Sequence, residues 1–173
     1  MKKVELYVPS IEEFGFRQEL LSDPNTMEYN KGEKVSYMGY HYDTGCIDFP
    51  KERWKDFEEK MKNPNFFYAY IKDLDTQEFV GEISFKLDSS IGKANLGIII
   101  KADKRGQGYM KPSIKLLIKE ARMRKIKFLA DSVSASREAA LHNFYKLGFK
   151  KINEYKITKN GILDTIAAIE MKL

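Results

Sequence analysis

Ala94-Asn95-Leu96-Gly97-Ile98-Ile99-Ile100, then Arg105-Gly106-Gln107-Gly108, then a helical pattern with Met110, Ile114, Leu117, Ile118 and Ala121 on one face, follow one another along the chain. A strand, a tight glycine turn and a helix start make a cradle for a phosphorylated ligand. Glycine lets the backbone approach phosphate oxygens with no side chain in the way. The first turn of the helix offers unpaired N–H groups and the positive end of its dipole. Arg105 adds a fixed charge with a planar fork of donors. The same residues also fit an ordinary glycine-rich strand–helix turn.

Outward from this stretch the pattern is regular. Towards the N-terminus, Phe66 to Ile71, Phe79 to Leu87 and Ala94 to Ile100 read as a three-strand meander, turned at Asp73–Thr76 and Asp88–Lys93. Before it, residues 3–8 read as a strand. Ser10 caps a helix running to about Leu21, which Ser22-Asp23-Pro24-Asn25 ends. Residues 26–48 form a long tyrosine-rich loop. Pro50 opens a second helix carrying Trp54, Phe57 and Met61. Towards the C-terminus come the helix to about Arg124, a strand over 128–133, a helix over 137–147 stopped by Gly148, and two strands, 149–158 and 162–173. Lys159-Asn160-Gly161 between them is a hairpin signal.

The chain's 173 residues suit one domain with a full core. The single cysteine, Cys46, rules out an internal disulfide and fits a reducing compartment, the cytoplasm. No apolar run approaches the ~18 residues of a membrane span, so no membrane role is expected. A net charge of +5 favours anionic ligands without implying nucleic acid. Lys111, Lys115, Lys119 and Arg122 form a solvated helix face, and with Lys101, Lys104 and Arg105 they draw a polyanion towards the loop. No base-stacking aromatic motif accompanies them, so nucleic acid is not the expected partner. Two histidines and one cysteine, far apart, do not suggest a metal site.

The element order, the strand Ala94–Ile100, the loop Arg105–Gly108 and the run Ala139-Ala140-Leu141 leading to Lys146-Leu147-Gly148-Phe149 resemble the GNAT N-acetyltransferase family, most strongly from Phe79 to Phe149. The resemblance implies a single-domain α/β acyl-CoA N-acyltransferase fold, residues 1–173, with a mixed central sheet flanked by helices. It implies acetyl-CoA as co-substrate and a small-molecule amine or a protein N-terminus as acceptor. In such proteins the strand before the loop splays from its parallel neighbour. The pantetheine arm would lie against the edge formed here by Ile98, Ile99 and Ile100. The backbone of Arg105, Gly106, Gln107, Gly108, Tyr109 and Met110 would hold the pyrophosphate. A strand N–H would polarise the thioester carbonyl, and a neutral amine would attack it directly. The last two strands offer an edge through which two copies could pair as a homodimer. A non-catalytic acyl-CoA-binding or regulatory protein on the same fold is the alternative.

The chain departs from the family pattern at specific positions. Met110 stands where a small residue is usual, and Pro112 two positions on supplies no N–H. The tyrosine that many relatives carry five residues before the Gly-Phe phenylalanine, as proton donor to the leaving thiolate, is Phe144. Tyr145 is its neighbour, ~100° round the helix. The glutamate often found early in the strand is Asn95, and the asparagine that often starts the last helix is Arg137. With Asn95 unable to take a proton, Glu82 on the neighbouring strand is the candidate base, on the face opposite Ile83 and Phe85. It reads equally as a solvent-facing carboxylate. His41 is a second base candidate because it titrates in the useful range. Tyr29, Tyr40 and His41 are the residues expected at the acceptor side.

Overall fold

The computed structural model describes residues 2–173. Seven strands form one mixed sheet in the order β1-β2-β3-β4-β5-β7-β6. They are β1 (Val4–Tyr7), β2 (Phe66–Asp73), β3 (Phe79–Asp88), β4 (Lys93–Ile100), β5 (Phe128–Ser134), β6 (Lys150–Lys159) and β7 (Ile162–Lys172). The helices are α1 (Gly15–Ser22), α2 (Pro24–Met27), α3 (Trp54–Met61), α4 (Met110–Met123) and α5 (Glu138–Lys146). All strand contacts are antiparallel except β4 with β5.

Alternation along the strands sorts side chains to two faces. Phe67, Ala69 and Ile71 of β2, Ile83 and Phe85 of β3, Leu96 of β4 and Leu129 and Val133 of β5 bury against Ile114, Leu117, Ile118 and Ala121 of α4 and Leu141 and Phe144 of α5. Tyr68 and Tyr70 of β2 point the other way, towards Phe16 and Phe57. Beside them Phe14, Leu21, Met27, Cys46 and Phe49 form a second buried cluster with Trp54 and Ile99. The expected helix from Ser10 to Leu21 is divided. A 3-10 turn at Ile11–Glu13, closed by Ser10 and Glu13 in a capping box, leads into α1. Phe14 sits between them, fully buried. Its ring packs in the buried cluster with Phe49.

The loop over residues 31–50 contains no helix or long strand, only the bridge Tyr40–Ile47. The β6–β7 hairpin turns on Asn160 and Gly161, both at positive φ as a two-residue turn of this kind requires. Its tip reaches back to the N-terminal half. The Lys159 ammonium donates to the Tyr29 carbonyl and to Glu33 Oε1, and the Asn160 N–H donates to the Gly32 carbonyl at 3.3 Å. Gly32 lies at φ +77°, a conformation that residues with a side chain rarely adopt, and a Cβ there would displace the Asn160 side chain. β6 is the outer strand of the sheet, with Ile152 and Tyr155 exposed on it.

Candidate active site

The parallel pairing of β4 with β5 stops early. Lys93, Ala94 and Asn95 pair with Phe128, Leu129 and Ala130, and no further pairs follow. β4 meanwhile stays paired with β3 to its end, Gly81 with Ile100. From Leu96 onward one edge of β4 is therefore open. The Lys101 N–H donates to the Val80 carbonyl, so alternation directs the Ile99 N–H towards β3 and the Ile98 and Ile100 N–H groups towards the opening. Ile98 and Ile100 can thus engage a ligand through their backbone, while Ile99 contributes its side chain to the opposite face.

The loop after β4 suits a polyanion. Gly106 and Gly108 lie at φ +73° and +88°, and a Cβ at either would meet open space. Among the described residues nothing accepts the backbone N–H of Gly106, Gln107, Gly108, Met110 or Lys111. Met110 does not obstruct them. Its side chain packs on the main core, with Sδ 4.0 Å from Asn143 Nδ2 of α5. Pro112 falls in the first turn of α4, where a missing N–H removes no helical bond. The cradle and the open β4 edge thus fit the phosphates and the arm of coenzyme A. Tyr109 contributes backbone only: its ring is buried and its hydroxyl donates to Asp73 Oδ2 at 2.5 Å.

Arg105 does more than the sequence implied. Its Nε donates to the Ile100 carbonyl at 3.2 Å, and its two terminal nitrogens donate to the carbonyls of Asn25 and Thr26 at 3.2 and 2.5 Å. It ties the loop to α2, and the Thr26 hydroxyl reinforces the tie by accepting from the Ala102 N–H. Arg105→Ala is expected to weaken acetyl-CoA about 10-fold in a calorimetric titration, because a loosened loop must be ordered on binding. Unchanged affinity would contradict the loop assignment.

Glu82 lies on β3, one strand from the open edge and paired in register with Ile99. It is 7% exposed, so the solvent-facing reading does not hold. Arg17 of α1 donates to its Oε1 at 2.5 Å and Tyr68 of β2 to its Oε2 at 2.5 Å, while Arg17 also reaches the Tyr68 hydroxyl at 3.1 Å. The guanidinium rests among Phe57, Phe49 and Tyr68, with Phe57 at 4.4 Å. Burial works against the Arg17 charge, and the Glu82 carboxylate more than offsets it, holding Arg17 above its ordinary value. Burial, then the Glu82 charge, pushes the Tyr68 hydroxyl well up. Arg17 Nε has no partner among the described residues.

The other candidates fall in different places. Tyr29 lies near the Glu82 cluster. Its hydroxyl is raised by burial and then by the Glu82 charge, and Arg137 stands over its ring at 5.4 Å. Tyr40 is occupied within the long loop, donating to the Asn30 carbonyl at 2.6 Å and accepting from the Glu33 N–H. His41 is exposed and bonded to Asp48. Tyr145 is 42% exposed. Phe144 fills the buried position beside it, its ring 5.1 Å from Phe149. The helix has the register that ~100° per residue implies, and it sends Tyr145 outward.

The model of the GNAT acetyltransferase domain matches residues 7–150. The chain belongs to the GNAT acetyltransferase family. The acetyltransferase uses acetyl-CoA as its co-substrate. Its fold is similar to that of a spermidine N-acetyltransferase from Vibrio cholerae in complex with CoA and spermine, with a TM-score of 0.78 at 14% identity over 98% of this chain and 95% of that one. It is also similar to a putative acetyltransferase from Acinetobacter baylyi, with a TM-score of 0.75 at 17% identity over 100% and 93%. A comparison with curated proteins gives no match. Among the described residues no helix is long and apolar enough to cross a membrane, and no group of His, Cys, Asp and Glu could hold a metal.

Proposed function

We propose that the protein transfers the acetyl group of acetyl-CoA to a primary amine by direct attack, in the cleft between the open β4 edge and the Arg17–Tyr68–Glu82 cluster. The observation that carries this reading is the adjacency of the two halves. An unpaired strand N–H at Ile98 and a buried carboxylate at Glu82 sit on neighbouring strands, whose spacing is ~4.8 Å. Acetyl-CoA supplies an activated acyl group. The Ile98 N–H donates to the carbonyl oxygen as it gains charge. Glu82 takes the proton from the amine, directly or through one water. Each of its oxygens accepts one bond in the cluster and keeps a second lone pair. Tyr29 and Arg137 border the acceptor's entry.

The charges near that entry bear on the acceptor. The carboxylates that act on the Tyr29 hydroxyl are Glu82 and Glu33, and each already holds a cation, Arg17 and Lys159 respectively. A polyamine needs carboxylates for its second and third ammonium groups, so this arrangement favours a monoamine such as a small amine or a protein N-terminus. The test is thiol release from acetyl-CoA across a panel of amines. A monoamine or peptide N-terminus is expected to exceed spermidine in kcat/KM. A tenfold preference for spermidine would contradict the acceptor class, and no release with any amine would contradict the transfer itself.

A further inference from the structure

β5 carries a carboxyl group where its neighbours are apolar. Asp131 is the first residue of β5 past the last β4–β5 pair, Asn95 with Ala130, and so stands at the apex where the two strands part. It lies on the same sheet face as Leu129 and Val133, and its register partner on β7 is Ile169, fully buried. That face is the one on which Leu141 and Phe144 of α5 pack. Leu96, the first β4 residue past the split, is apolar too. The only hydrogen bond to the Asp131 carboxyl among the described residues comes from the next backbone N–H, Ser132 to Oδ1 at 2.7 Å. One oxygen therefore has no protein partner. The pyrophosphate cradle follows β4 at the wide end of the opening, so an arm running inward along β4 ends at this apex. The sulfur it carries would arrive beside Asp131, on the face where Phe144 offers no hydroxyl.

We propose that Asp131 is the catalytic acid that protonates the departing thiolate of coenzyme A. This rests on the transferase reading above. In the step, the ammonium gives a first proton to Glu82, directly or through water, and Glu82 passes it to solvent; the neutral nitrogen then bonds to the acyl carbon and gives its second proton to Glu82. The carbon–sulfur bond breaks, its electron pair goes to sulfur, and the proton on the Asp131 carboxyl passes to that sulfur. The Asp131 carboxylate then regains a proton from solvent while Glu82 releases one, so the two balance. Burial supports the role by pushing Asp131 up to about 7, against the Ser132 N–H and the Arg137 charge, which both favour the carboxylate. Among the described residues, Arg137 is the charged side chain that acts on it. Its register partner on β7 is the apolar Ile169, Leu96 follows the last β4 pair, and Leu141 and Phe144 of α5 pack on the same face of the sheet.

The test pairs kinetics with a titration that needs no acceptor. In Asp131→Asn, kcat with acetyl-CoA is expected to fall about 10- to 100-fold, with KM for acetyl-CoA within about twofold. The thiol of bound CoA is then titrated by its thiolate absorbance against the complex with CoA lacking its sulfur. A carboxylate in contact with the thiol raises the thiol pKa, so the variant should lower it by about one unit. A fall in kcat with an unshifted thiol would mean that Asp131 acts only on structure, and unchanged kcat would equally overturn its role. Wild-type protein that binds CoA but acetylates no amine would take down the transferase reading and this one together. An active wild type with an unshifted thiol in the variant would sink Asp131 alone.

Discussion

Replacing Arg17 by methionine is expected to destabilise the protein by about 3 kcal/mol, the effect of leaving a buried carboxylate without its cation. Methionine keeps the apolar stem against Phe57 and Phe49 and removes the charge that Glu82 needs. Glu82 would retain only the Tyr68 hydroxyl. In a chain of this size such a loss lowers Tm by about 6–12 °C. The double variant Arg17→Met, Glu82→Leu should recover most of the stability, because the penalty lies in the orphaned charge and not in the absence of the pair. Denaturant unfolding of the three proteins checks this. A single variant within about 0.5 kcal/mol of wild type, the span of an ordinary surface change, would show that the pair is solvated and that Glu82 is not buried as described.

Glu82→Gln should lower turnover about 100-fold, at the low end of what a positioned base contributes. It should leave acetyl-CoA affinity unchanged, because Glu82 lies across β4 from the open edge. Glutamine keeps the bond from Arg17 at its carbonyl and turns its amide N–H to the Tyr68 hydroxyl, which then accepts, while its capacity to take a proton is gone. The deficit has a definite pH dependence. An amine must lose its proton before attack, and as pH rises towards the amine's own pKa, ~8 for an α-amine and ~10.4 for a lysine-like one, solvent does this unaided. The gap between wild type and variant should therefore narrow with rising pH. Steady-state rates between pH 6.5 and 9.5 show whether it does. A variant with full activity at pH 7 would remove Glu82 from the mechanism.

What the sequence disclosed follows from the range of the forces involved. β4, the loop and α4 were legible because each is encoded locally: alternating apolar residues, two glycines that adopt positive φ, and a stripe at helical spacing. The hairpin at Asn160-Gly161 was legible for the same reason. The partners of Glu82 were not. Arg17 precedes it by 65 residues, on a short helix whose amphipathic pattern is weak, and only the folded sheet brings α1 across β3. The role of Arg105 was half legible. Its charge marked the loop, but its grip on the α2 carbonyls depends on a contact about 80 residues distant.

Asp131 left a signal that alternation alone could have read. In Phe128-Leu129-Ala130-Asp131-Ser132-Val133 it falls on the same face as Leu129 and Val133, an acid among core residues. Tyr145 shows the converse. Helical geometry already turned it ~100° from Phe144, and the fold buries Phe144 while leaving Tyr145 exposed. The loop tyrosines could not be ranked from sequence. Tyr29 and Tyr40 lie eleven residues apart in one irregular segment. The clasp of the β6–β7 hairpin on residues 29–33, which holds the backbone of Tyr29, is a contact between distant parts of the chain.

Acetyl-CoA is expected to occupy the opening between β4 and β5. Backbone amide spectra of the 15N-labelled protein during titration with acetyl-CoA test it most directly. The largest shifts are predicted at Ile98 and Ile100 on the open edge and at Gly106, Gly108, Met110 and Lys111 in the cradle, with the β6 edge unmoved. Shifts confined to other surfaces, or none at saturating acetyl-CoA, would contradict the account.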